Sequence, residues 1–179
     1  MPVIRPEQPA DIEAVNALLL AAFGRQAEAR LVDRLRASGK IAKALVAEET
    51  SRVLGHVVFS KIVAASERGE LEALALAPLA VEPAFQRLGI GSALVSAGLE
   101  HCRIERQAGI VVLGDPAFYL RFGFVPAARF GLQCPFPAAA NAFMAIELQP
   151  GALSAMSGAV RYGPEFEDLE ESALNATPR

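Results

Sequence analysis

The stretch LAVEPAFQRLGIGSALVSAGL, residues 79 to 99, decides how this chain is read. An apolar run closes on Val81-Glu82-Pro83, a basic loop with two glycines follows, and a helical pattern begins at once. That order predicts a strand, a tight turn and a helix N-terminus, with Gln86-Arg87-Leu88-Gly89-Ile90-Gly91 at the junction. A helix start leaves several backbone N–H groups unpaired, and the summed peptide dipoles make that end electropositive. Glycines there remove the Cβ atoms that hold an anion off the amides. The junction therefore predicts a phosphate cradle, with the Arg87 charge beside it.

On the N-terminal side, Val3-Ile4-Arg5 reads as a short strand, and Asp11 sits where a helix N-cap belongs. Ile12, Val15, Leu18, Leu19, Ala22 and Phe23 recur at helical spacing up to Gly24, and a second helix covers residues 28–37. Residues 44–48 and 53–64 read as a strand pair about the polar turn Glu49-Thr50-Ser51-Arg52, and residues 71–81 as the next strand. Pro78 interrupts that strand. A proline has no N–H for the ladder, so a bulge or an end of pairing is expected there, just before the cradle.

On the C-terminal side, a helix over 91–105 carries Ile90, Leu94, Ala97 and His101 along one stripe, and residues 110–113 form a buried strand. Asp115-Pro116 opens a brief helix bearing Phe118, Tyr119 and Phe122, closed by Gly123. Residues 134–141 read as a loop, and residues 142–148 as the last clear strand. Residues 151–179 read as a less regular extension, acidic from Glu165 and frayed over 175–179.

At 179 residues, 53% of them apolar, the chain suits one domain with a sizeable core over residues 1–150. Its net charge of −3 argues against a nucleic-acid surface. Cys102 and Cys134 are too few for a disulfide framework, and two histidines give little material for zinc or triad chemistry. No targeting signal or membrane-length apolar run is visible, so the expectation is a soluble cytoplasmic protein.

The glycine loop has competing readings. A Walker loop needs Lys and Ser or Thr after its last glycine, whereas Ser92-Ala93 follows here. A dinucleotide fingerprint needs a third glycine where this chain has Leu94. A bare strand-to-helix turn with no ligand stays open on the loop alone.

Taken with its surroundings, the loop resembles a known family. Leu79-Ala80-Val81-Glu82-Pro83 followed by Gln86-Arg87-Leu88-Gly89-Ile90-Gly91 is similar to the acyl-CoA motif of the GNAT N-acetyltransferase superfamily, Gln/Arg-x-x-Gly-x-Gly/Ala after a strand ending in Val-x-Pro. Tyr119-Leu120-Arg121-Phe122-Gly123-Phe124 is similar to its Tyr-x-x-x-Gly-Phe segment, and the likeness spans residues 3–148. The resemblance implies an α/β fold: a mixed, mostly antiparallel sheet, flanked by helices and splayed near Pro78. It implies acetyl-CoA in the splay, its pantetheine along Leu79, Ala80 and Val81. Its pyrophosphate would lie on the amides of Arg87, Leu88, Gly89, Ile90 and Gly91, with Gln86 and Ser92 flanking them.

The chemistry implied is direct attack of a primary amine on the thioester, the acceptor being a small molecule or peptide. Tyr119 matches the position that returns a proton to the departing thiolate. A general base is harder to place. The family's strand Glu falls at Ala75, and Glu72 is the candidate in its stead, although an odd offset puts it on the opposite face. Glu70, Glu82 and a chain of waters are further candidates. Gly114-Asp115-Pro116 stands where many members have a cofactor-contacting Asn. The rival is an acyl-CoA-binding sensor of the same fold without turnover, kept open by Ala75. Transfer of a longer acyl group, or transfer onto a hydroxyl, also stays open. A homodimer is a further expectation, because family members often dimerise.

Overall fold

The computed structural model describes residues 1–67 and 69–169. Its frame is an antiparallel ladder in which β1 (Val3–Pro6) pairs with β2 (Ile41–Glu49), β2 with β3 (Arg52–Ser66), and β3 with β4 (Gly69–Val81). Thr50 and Ser51 alone turn β2 into β3, at φ of 50° and 60°, the left-handed geometry that a two-residue hairpin loop requires. Beyond β4 lies β5 (Gly109–Leu113) in parallel, then β8 (Phe143–Glu147) and, outermost, β6 (Val125–Pro126). The sheet is mixed and mostly antiparallel, with helices on both faces, as the sequence led us to expect.

Alternation along the strands decides which residues meet which helices. On one face Leu45, Ala47, Val57, Phe59, Leu74 and Leu76 pack with Ile90, Leu94 and Cys102 of α3 (Ile90–Ile104). On the other, Val46, Val58 and Ala80 lie with Val15 and Leu19 of α1 (Ile12–Phe23) and Leu31 and Leu35 of α2 (Ala27–Ala37). The α3 stripe is rotated from the one read in the sequence: Gly98 and Cys102 are buried, Ala97 and His101 only partly. Gly98 accounts for this, since a Cβ there would overlap the fully buried Phe59 ring.

The expected interruption at Pro78 is a bulge. Val57 faces Leu79 and Phe59 faces Leu76, so Ala77 and Pro78, joined by a cis peptide, oppose Val58 together. The extra residue resets the alternation. Leu74 and Leu76 face α3 before the bulge, and Leu79 and Val81 face it afterwards. Among the described residues, β4 and β5 pair only at Leu74–Ile110 and Ala75–Val111, and then the two strands part. The sheet is splayed beyond Ala75, along the segment that carries Pro78 and its bulge.

The strand at Phe143–Glu147 is not the last. β9 (Met156–Arg161) pairs with β3 beyond the reach of β2 and takes β7 (Leu132–Gln133) as a parallel neighbour. Leu153, Met156, Val160 and Phe166 are buried, so the segment read as irregular is packed as far as it is described. The loop read over 134–141 carries a 3-10 turn, Pro137–Ala142. The fraying expected over 175–179 lies outside the described residues. No helix among the described residues is long and apolar enough to cross a membrane.

Buried carboxylates tie the N-terminal segment down. Asp11 precedes α1 but does not cap it; its carboxylate accepts from the Gln8 N–H (2.7 Å) and from Arg5 (2.7 and 2.8 Å). Glu7 accepts from Arg36 (2.6 Å) and lies 2.6 Å from Nε2 of the fully buried His56. Burial alone would raise the Glu7 carboxyl, but the bonds to His56 and Arg36 outweigh it and hold it below the usual carboxylate range. The bond from Arg5 does the same for Asp11. Carboxyls lowered by folding contribute stability above their unfolded pKa, near 4, that is lost as pH falls through the folded values. The urea midpoint should therefore hold from neutral pH to about 5 and drop below about 4. Glu7→Gln should be less stable at pH 7 and lose less on acidification; an acid slope equal to wild type would show that Glu7 does not contribute to it.

Candidate active site

The splay opens into a cavity of about 570 Å³ between the end of β4, the start of α3 and the short helix α4 (Pro116–Tyr119). Leu79 and Val81 line it from the strand, Gln86 and Arg87 from the loop, and Gly89, Gly91 and Ser92 from the helix start. Asp115, Phe118, Tyr119 and Arg121 close the other wall.

Local chemistry shapes the loop. Gln86 Nε2 donates to the Val81 carbonyl (3.2 Å), holding the loop against the strand end. Arg87 and Gly89 take left-handed φ, 61° and 87°, and a Cβ on Gly89 would meet nothing within 4 Å. Glycine is needed at 89 for the backbone angle rather than for space. At Gly91 a Cβ would stand 3.6 Å from Val81 and 3.9 Å from Phe118, inside the cavity. The Ala93 N–H donates to the Gly89 carbonyl (2.9 Å) as the first helical bond. Gly89 brings no capping side chain, so the amides of Ile90, Gly91 and Ser92 lack a helical acceptor.

The opposite wall is aromatic. Asp115 Oδ1 accepts from the Ala117 N–H (2.9 Å) and starts α4 with Pro116 in the first turn, as its sequence predicts. Tyr119 is 3% exposed and packs edge-on to Phe118 (4.9 Å) and Phe124 (5.5 Å). Its ring lies against Gly114, where a Cβ would overlap Cε2. That contact gives a physical reason for glycine at the position read as a departure from the family. Burial pushes the Tyr119 phenol well above its ordinary pKa, so it keeps its proton across the neutral range.

Eight of the residues singled out in the sequence meet at this cavity: Leu79, Val81, Gln86, Arg87, Gly89, Gly91, Ser92 and Tyr119. Leu88 is 64% exposed, Ile90 is buried in the core, and Ala80 belongs to the layer under α1 and α2, so none of these three presents its side chain there. Glu72 is not brought to the cavity. It opposes Val63 near the far end of β4, is exposed, and lies 3.5 Å from Lys61. Ala75 is buried on the sheet face away from α3. Asp115 and Arg121 were not singled out as site residues; Phe118, read on the brief helix with Tyr119, joins them at the wall. Their signal was spacing, since Phe118 and Arg121 sit one helical turn apart around Tyr119. Among the described residues no cluster of His, Cys, Asp or Glu suits a metal ion.

Residues 40–126 match a family model for the acetyltransferase (GNAT) domain. The chain is 38% identical over 165 residues to the uncharacterized N-acetyltransferase YhbS of Escherichia coli K12, covering 92% of this chain and 98% of the relative. It is 35% identical over 133 residues to the uncharacterized N-acetyltransferase YjhQ of the same organism, 71% of this chain and 72% of that one. The crystal structure of E. coli YhbS in complex with CoA matches with a TM-score of 0.86 at 37% identity, over 93% of this chain and 92% of that one. A GNAT family acetyltransferase from Brucella melitensis, in complex with acetyl-CoA, matches at 0.76 and 33% identity, over 93% and 98%.

The packing of Tyr119 on Gly114 can be tested by stability. Gly114→Ala should lower the free energy of unfolding by about 1–3 kcal/mol in urea, the usual cost of overfilling a packed site. An unchanged midpoint would mean that the ring has room to yield.

Proposed function

This chain belongs to the GNAT acetyltransferase family, and on that premise we propose that it moves an acetyl group from acetyl-CoA to a primary amine by direct attack. The observation that carries the reading is the meeting, in one cavity, of a helix start with unpaired amides and a buried, protonated tyrosine. Acetyl-CoA supplies the activated thioester. The residues present suit it: the amides of Ile90, Gly91 and Ser92, with Arg87 beside them, would hold the pyrophosphate, and Leu79 and Val81 would line the pantetheine arm. A side chain at Gly91 would fill the space this arm needs.

Tyr119 is assigned the role of acid. Its proton is retained by burial and is available to the sulfur as the carbon–sulfur bond breaks. Asp115 lines the cavity with a carboxylate whose Oδ1 accepts from the Ala117 N–H. With alanine at 75 and Glu72 elsewhere, we assign the amine's proton to water passing through the splay. The rate should then rise with pH toward the acceptor's own pKa rather than follow an enzyme carboxylate. Ala75 also favours the second reading, an acyl-CoA sensor without turnover.

Calorimetric titration with acetyl-CoA, followed by a thiol-release screen across amines, separates the two. Gly89→Glu should abolish binding by setting a carboxylate at the cradle; binding as tight as wild type would remove the phosphate assignment. Tyr119→Phe should lower turnover about a hundredfold with affinity nearly unchanged, and equal turnover would return Tyr119 to packing. Binding with no thiol release on any amine would favour the sensor.

A further inference from the structure

We propose that Ser60 is a positioning residue for the transfer: on the face of the sheet away from α3, its hydroxyl holds the water that takes up the amine's proton. The inference rests on the reading of the splay as the place where acetyl-CoA meets its acceptor. Ser60 is fully buried, and its Oγ has no hydrogen-bond partner among the described residues. It lies directly opposite Ala75, so the two side chains share a face about 5 Å apart. Ala75 is also where β4 and β5 cease to pair. The orphan hydroxyl therefore stands one strand in from the gap. The other buried orphans lie elsewhere, Asn16 Oδ1 on α1 and His56 Nδ1 opposite Ala80.

The setting of Ser60 is apolar. Along β3, Val58 packs in the layer of α1 and α2, and Ile62 in the layer of Met156 and Val160, which leaves Ser60 at the seam between the two. Leu113 packs against both layers and Ala77 against the first, one from each strand that borders the gap. A buried hydroxyl left unpaired is costly, and an internal water is the usual remedy. The cofactor cavity lies on the α3 face, with Leu79 and Val81, so an amine reaches the thioester from the side of Ser60. A water that donates one O–H to Ser60 Oγ keeps a lone pair for the N–H of the amine. As the nitrogen attacks the carbonyl carbon, its proton passes to that water, and the water's other proton passes to solvent in the gap. The carbon–nitrogen bond forms, the carbon–sulfur bond breaks, and the sulfur takes the Tyr119 proton, which solvent replaces.

A crystal structure of the full chain with acetyl-CoA tests this, together with the variants Ser60→Ala and Ser60→Thr. The complex should hold an ordered water within hydrogen-bond distance of Ser60 Oγ; a dry hydroxyl would overturn the assignment and leave the cofactor site standing. Ser60→Ala should bind acetyl-CoA as wild type does and keep a urea midpoint at least as high, because no hydrogen bond within the protein is lost. Its thiol release, measured with propylamine and then with the other amines of the screen, should fall about tenfold in kcat, less than for a group that itself moves the proton. Ser60→Thr keeps the hydroxyl and should retain most of the rate. Unchanged turnover in Ser60→Ala, or turnover and midpoint falling together, would overturn the proposal. A wild type that binds acetyl-CoA and acetylates no amine would remove it along with the transfer reading, and one that does not bind acetyl-CoA would remove the cofactor reading itself.

Discussion

One missing hydrogen-bond donor shapes the working end of this molecule. Pro78 has no N–H, so the chain cannot continue an ordinary ladder through it. On the side of β3 the outcome is a bulge that places Ala77 and Pro78 opposite one residue; on the side of β5 pairing has already stopped at Ala75, and the gap runs on past Pro78. The two effects act together. The gap makes the cavity, and the change of phase turns Leu79 and Val81 toward it. With unbroken alternation from Leu74 and Leu76, these two side chains would lie under α1 and α2 instead.

The other walls depend on close approach. Gly98 lets α3 settle on the Phe59 ring, and Gly55 lies where a Cβ would press on Ile90 and Leu94. Gly114 gives the same kind of room to Tyr119, while Gly89 serves a different need, a left-handed backbone angle just ahead of the helix. Apparently similar glycines thus meet separate physical demands, and the neighbours show which one applies.

How legible the protein was in its sequence followed from how local each signal is. The glycine loop, the Asp115-Pro116 helix start and the Pro78 interruption express chemistry within a few residues, and each appears where it was read. The face of α3 was misread because Ala97 and Gly98 are both small, and periodicity alone could not choose between them; Phe59, far away in the chain, makes the choice. Strand β9 was missed because Met156-Ser157-Gly158-Ala159-Val160-Arg161 has weak strand character, and its partners on β3 are remote in sequence. Glu72 was considered because it carries the right functional group on the right strand. Its distance from the bulge, toward the turn at Gly69, keeps it from the cavity.

The seat of α3 has a consequence for how an anion is received. Leu94 and Val95 are fully buried, and two glycines allow close contact where the helix meets the sheet. Ile90 to Ser92 are the first turn of that anchored helix, so their N–H groups hold their direction before any ligand arrives. An anion docking there freezes few backbone torsions and loses little chain entropy, and more of the attraction appears as affinity. The stiffness of the first turn is thus set some two turns away, where Gly98 meets Phe59.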